Sequence, residues 1–168
     1  MDTRPSRPGA RVGVDVGNAR VGVAASDASG AFAHPVRTLP RDAQGDSDVS
    51  AIVELVQELD AIEVVVGLPR LLSGEEGEAA RLARAYAGAL AARLGTVSVR
   101  MVDERLTTVD AHRRLRDSGV PGRGQRAVVD QAAAVLILQS ALDTEALSGR
   151  PPGETVTSGG QRKKERRR

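Results

Sequence analysis

RVGVDVGNARVGVAASD, residues 11–27, consists of two apolar alternations broken by one carboxylate and one tight corner. Residues 11–16 and 20–26 follow the period of an extended chain, and Gly17-Asn18 between them are residue types that tolerate positive φ. The stretch therefore predicts a β-hairpin. Asp15 interrupts its first arm between Gly13 and Gly17, where a purely structural account has little use for an acid. The two glycines are expected to leave room for backbone or phosphate to approach.

Outward from the hairpin, AFAHPVRTL (31–39) follows a Ser29-Gly30 turn and predicts a third strand, completing an antiparallel meander. The period then changes. DVSAIVELVQEL (48–59) places Val49, Ile52, Val53, Val56 and Leu59 at helical spacing, and AIEVVVGLP (61–69) is a β-branched run typical of a buried strand. EEGEAARLARAYAGALAARLG (75–95) is the longest helix candidate, with acids near its start and Gly95 at its end. VSVRMVDE (97–104) predicts a strand, TTVDAHRRLRDSG (107–119) a helix capped by Thr107 or Thr108, and VVDQAAAVLILQSALD (128–143) a final apolar helix. The order βββαβαβαα predicts an α/β fold: a five-stranded mixed sheet, three strands in a meander and two in αβ units, flanked by helices.

A chain of 168 residues accommodates one ordinary domain. Residues 1–10 and 148–168 lack an apolar period and are expected to be disordered, leaving a domain at 11–147. Hydrophobic residues make up 40% of the chain but aromatics only 1%, so the core must come from Val, Leu, Ile and Ala. That scarcity also disfavours base stacking on aromatic rings. The absence of cysteine excludes disulfides, thiolate metal sites and a Cys nucleophile. No apolar run approaches the roughly 18 residues of a membrane span, and no signal-peptide pattern precedes the hairpin, so a soluble, cytoplasmic protein without membrane contact is expected. The net charge of +2 hides an uneven distribution, because QRKKERRR at 161–168 is strongly basic.

Three acidic positions need a chemical account: Asp15, the pair Asp103-Glu104 after the fifth strand, and Asp130 at the start of the last helix. A buried carboxylate is costly without compensation, and a shared divalent cation would supply it. Carboxylate oxygens are hard ligands suited to Mg²⁺ or Mn²⁺, and two such ions can activate a water and stabilise the leaving oxygen of a phosphodiester.

VGVDVGNARVGVAASD, VVVGLPRLLSGEEGEAA, VDERLTTVDAHRRL and VVDQAAAVLIL, in that order, resemble the YqgF family of Holliday-junction-resolvase-like proteins. The resemblance covers residues 11–143 and implies a ribonuclease H-like fold. It also implies three catalytic, metal-binding acids, mapped to Asp15, Glu104 and Asp130, with Mg²⁺ or Mn²⁺, as two ions, for cofactor. Neighbours on a strand point to opposite faces, so only one of Asp103 and Glu104 is expected to face the metals, and Glu104 is the one taken. RLLSGEEGE departs from the more polar or methionine-containing stretch usual after GLP in the family.

Arg20 stands at the family's lysine-or-arginine position and, with Arg105, is expected either to hold phosphate or to form a salt bridge. Residues 105–126 contain six arginines and two acids. Arg113, Arg114, Arg123 and Arg126 are expected to extend a backbone-binding rim, although charge runs are commonly just solvated faces. His34 and His112 read as structural or solvated.

The resemblance implies a nuclease acting on structured nucleic acid, with two candidate substrates: the 5′ end of pre-16S rRNA, placed first, and branched DNA such as a Holliday junction. Two other classes compete. One is a non-catalytic nucleic-acid-binding factor; the other is an ATP-binding phosphotransfer protein, since DVGNARVGVA also resembles the phosphate hairpin of sugar kinases and actin. The latter proteins enclose nucleotide between two such domains, and this chain has length for one. A homodimer would suit symmetric cutting of a four-way junction.

Overall fold

A computed structural model of the chain describes residues 7–109 and 123–157. Its strands are β1 (Arg11–Val16), β2 (Arg20–Ser26), β3 (Ala33–Pro40), β4 (Glu63–Leu68), β5 (Ser98–Asp103) and β6 (Glu154–Val156). The helices are α1 (Ser47–Leu59), α2 (Glu78–Leu94) and α3 (Arg123–Ser148), with a 3₁₀ turn at Glu104–Leu106. The expected helix over 107–119 lies largely outside the described residues.

The strands form one six-stranded sheet in the order β3-β2-β1-β4-β5-β6. The meander is antiparallel, with Asp15 opposite Gly22 and a bulge in the β2–β3 pairing at Val23/Ala24. β4 lies parallel to both β1 and β5. The expected five-stranded sheet is thereby corrected: β6 adds antiparallel to the edge of β5. Three residues with no apolar alternation give too little signal for a strand to be read from sequence. Glu154–Val156 also falls in the stretch read as disordered, and so does Arg7 in the N-terminal one, although Arg7 is held by Glu63 and Glu145.

Alternation along the strands divides the core. Val12, Val14, Val64, Val66 and Leu68 pack with α1 and α2. On the opposite face, Ala24, Val65 and Val102 pack with Ala133, Ala134, Ile137 and Leu138 of α3. Covered on both faces, β1 and β4 are buried along their whole length, which explains their near-continuous apolar runs. α3 is apolar and long enough over Ala127–Ser148 to cross a membrane by composition. Its Ala134, Ile137 and Leu138 are fully buried against the sheet, so that composition belongs to a core helix.

α3 lies unusually close to the sheet. A Cβ on Gly22 would stand 2.0 Å from the Asp130 carbonyl oxygen, and one on Gly13 would stand 2.7 Å from Leu138 Cβ. Gly13 therefore makes room for α3, correcting its expected role as an opening for phosphate. At the far end of the helix, Glu145 receives Arg11 at 2.9 Å and Arg7 at 2.6 Å, while Glu63 receives Arg7 at 3.3 Å and Arg100 at 3.4 Å. Arg11, Glu63 and Glu145 are all buried. This is a closed ionic cluster that ties the chain's start to β4, β5 and α3.

Candidate functional site

Asp15 is the penultimate residue of β1 and only 4% exposed. Its partner in register, Gly22, has no side chain, and the α3 backbone fills that space at Asp130. The result is that Asp15 and Asp130, distant in sequence, border one hollow of about 230 Å³. Val16, Gly17 and Asn18 of the hairpin, Pro69 after β4, and Ala79 and Leu82 of α2 complete its wall. Asp130 lies about two turns inside α3, whose first residue is Arg123. It is therefore not at the start of the last helix, and proximity to a helix N-terminus does not explain it.

Glu104 is 2% exposed. β5 ends at Asp103 and the 3₁₀ turn begins at Glu104, so the chain bends and carries the carboxylate over β4. Glu104 Oε1 stands 2.5 Å from where Gly67 would carry a Cβ, beside Ile137 of α3. The β1–β4 pairing runs to Val14↔Val66, and the next residues of each strand are Asp15 and Gly67. All three acids thus come to the same end and the same face of the sheet, from β1, the turn after β5, and α3.

Asp103 goes elsewhere. It is level with Leu68, which belongs to the α1/α2 core, and Arg105 donates to it from Nη2 at 2.6 Å and from the backbone amide at 2.9 Å. The Arg105 guanidinium holds the Asp103 carboxyl below its ordinary range. Strand alternation predicts this separation of Asp103 from Glu104, and the 3₁₀ turn enlarges it.

Among the arginines, Arg20 donates from Nε to Asp130 Oδ2 at 2.8 Å and remains 35% exposed. Arg113 and Arg114 lie outside the described residues, and so do the side chains of Arg123 and Arg126. Thr107 accepts from the Val109 amide at 3.2 Å, in keeping with a capping role. Two further residues contribute: Pro69, which the Gly-Leu-Pro ending of the β4 run marks as a loop former, and Arg41, which has no signal in the sequence. Pro69 closes the hollow opposite the hairpin, and Arg41 reaches the Gly17 carbonyl.

The three carboxylates make a hard-oxygen donor set whose chemistry fits a divalent cation. Among the described residues, no group of three or more His, Cys, Asp or Glu side chains is arranged about a common point for an ion. Asp15 and Asp130 share the hollow, and each of the three acids also interacts with its neighbours in the fold.

The topology agrees with comparisons to known proteins. The family model described as "RuvX: Holliday junction resolvase" matches residues 9–144. The chain belongs to the RuvX family. Within it, a protein of Frankia casuarinae named "Putative pre-16S rRNA nuclease" is 58% identical over 141 residues, covering 84% of this chain and 70% of the relative. One of Nocardioides sp. with the same name is 55% identical over 155 residues, covering 89% and 97%. Among solved structures, Thermus thermophilus RuvC in complex with a Holliday junction substrate superposes with a TM-score of 0.57 at 15% identity, covering 86% of this chain and 99% of RuvC. That likeness shows the fold, which is ribonuclease H-like as the resemblance to the YqgF family implies.

Proposed function

We propose that the chain is a divalent-metal-dependent nuclease that hydrolyses phosphodiester bonds in structured nucleic acid, with the 5′ end of pre-16S rRNA as its substrate. The observation that carries this reading is the convergence of Asp15 and Asp130 on one hollow at the sheet end, with Glu104 on the same face. The names of its relatives, more than half identical in sequence, support the RNA substrate.

Asp15, Glu104 and Asp130 would hold Mg²⁺ or Mn²⁺, as two ions. When bound, such ions supply an activated water and stabilise charge on the leaving oxygen. The remaining tasks fall to the chain itself. Gly17 and Asn18 wall the hollow on the hairpin side. Arg20, partly exposed beside Asp130, would donate to a phosphate oxygen, and so would Arg105 at the neighbouring turn. Arg113, Arg114, Arg123 and Arg126 would extend the basic rim, adding affinity and salt dependence without base readout.

A second reading, cleavage of branched DNA, is favoured by the family's description. A homodimer would place two sites across a four-way junction. A cytoplasmic location accords with either substrate. The test is a parallel cleavage assay on a pre-16S rRNA 5′ leader and a four-way DNA junction in Mg²⁺ or Mn²⁺, with Asp15→Asn as control. RNA products that Asp15→Asn reduces by about 10³-fold, with binding retained, are expected. Junction-only cleavage would select the DNA reading. Cleavage unchanged in Asp15→Asn would overturn the site, and binding without cleavage would mark a non-catalytic factor.

A further inference from the structure

The hairpin carrying Asp15 closes at Gly17 and Asn18, both of which line the hollow. Within the hairpin, the Gly17 amide donates to the Arg20 carbonyl at 2.9 Å. Its outer side is held by Arg41, just past β3. The Arg41 amide donates to the Ala19 carbonyl at 2.9 Å, and Nη1 donates to the Gly17 carbonyl at 3.4 Å.

The same guanidinium is gripped from behind. Its Cζ stands 5.0 Å from the centroid of the Tyr86 ring in α2, a cation–π distance, and its Nε lies 3.8 Å from Asp48 Oδ2 in the first turn of α1. The Tyr86 hydroxyl donates to that oxygen at 3.1 Å. Burial, and secondarily the Asp48 charge, push the Tyr86 hydroxyl well above its ordinary range, so it remains a donor. Asp48 is 3% exposed, and its Oδ1 has no hydrogen-bond partner among the described residues. A carboxylate in that setting is expensive to retain for helix stability alone.

We propose that Arg41 is a positioning residue: Asp48 and Tyr86 aim its guanidinium at the Gly17 carbonyl, fixing the turn that walls the hollow beside Asp15. Its effect on cleavage rests on the nuclease reading above; its effect on the turn does not. The Arg41 side chain is only 19% exposed, which favours action through the hairpin over direct contact with nucleic acid.

The test compares Arg41→Ala, Arg41→Lys and Tyr86→Phe in the full chain. Three quantities are measured: amide hydrogen exchange at Gly17, whose amide makes the bond that closes the turn, single-turnover cleavage, and nucleic-acid affinity in EDTA over a range of salt. Arg41→Ala is expected to speed exchange at the turn by about tenfold and to slow cleavage by about 10- to 100-fold. Affinity should stay within about twofold, with an unchanged salt slope. Arg41→Lys should recover part of the rate. Tyr86→Phe, which keeps the ring and loses one hydrogen bond, should give a smaller change in the same direction and serves if Arg41→Ala does not fold.

Exchange at wild-type rates in Arg41→Ala would overturn the proposal. So would a loss of affinity with the salt slope reduced by about 1, which would make Arg41 a phosphate contact. If the wild-type chain cleaves neither substrate, the nuclease reading fails, and the exchange result still decides whether Arg41 fixes the turn.

Discussion

The two ends of α3 both bury charge, but they do so differently. At the Glu145 end, acids are matched by guanidiniums from Arg7, Arg11 and Arg100, and the cluster is closed by its own ion pairs. At the Asp130 end, three acids come from separate elements, and two of them border a hollow. Burial alone therefore does not mark a functional site here, since Glu63, Glu104, Asp130 and Glu145 are all 5% exposed or less. Both ends hold ion pairs, Arg20–Asp130 among them, and what separates them is that Asp15 and Asp130 border a space that something else can enter.

The sharpest way to break this contrast is to exchange the phenotypes. Asp15→Asn is expected to remove activity, by about 10³-fold, with little loss of stability. Glu145→Gln should do the reverse. Removing one member of a buried ionic cluster leaves Arg11 uncompensated, which costs about 3–5 kcal/mol. A denaturant melt should read that loss while cleavage per folded molecule stays near wild type. A Glu145→Gln protein of full stability and reduced cleavage would mean that the two ends are one functional unit.

Gly22→Ala should damage both properties. Its Cβ would stand 2.0 Å from the Asp130 carbonyl, so α3 must shift away from β2. Overpacking of this kind costs about 1–3 kcal/mol, and the same shift displaces Asp130 from Asp15. Melting and cleavage measured on one preparation check the coupling, and an effect on stability alone would show that the site tolerates the displacement.

The smallest effect is expected at Asp103. Its folded-state pKa is depressed by Arg105, so the pair's contribution is present above the ordinary carboxylate pKa, near 4, and is lost as pH falls through the lower folded value. Asp103→Asn should therefore lower Tm slightly at neutral pH and converge with wild type in acid, a difference read from Tm against pH. Its cleavage should remain within about tenfold of wild type, whereas Glu104→Gln loses about 10²-fold or more. Equal losses would return Asp103 to the site.

Much of this architecture was legible because its signals are local. The β1–β2 hairpin, the change from period 2 to period 3.6 at Val49, and the buried run of β4 each declare themselves within a few residues. Asp15, Glu104 and Asp130 stood out because each is an acid set in or beside an apolar run. What escaped depends on partners distant in sequence. β6 exists because β5 offers an edge, and the pairing of Arg7 with Glu63 and Glu145 joins residues far apart in sequence. α3 begins at Arg123, before the apolar period that announces it. Gly13 looked like space for a ligand because sequence does not show which helix will fill it. Arg41 gave no signal because its meaning lies in Gly17, Asp48 and Tyr86, which meet only in the fold.

The contact between β2 and α3 at Gly22 sets how securely the site is gauged. Asp130 is located there by main chain lying against main chain, a contact with no rotamers to choose between. Ala133, Ile137, Leu138 and their neighbours can therefore exchange volume with one another over evolutionary time while the offset between Asp15 and Asp130 holds. The spacing of the two acids is inherited from the backbone.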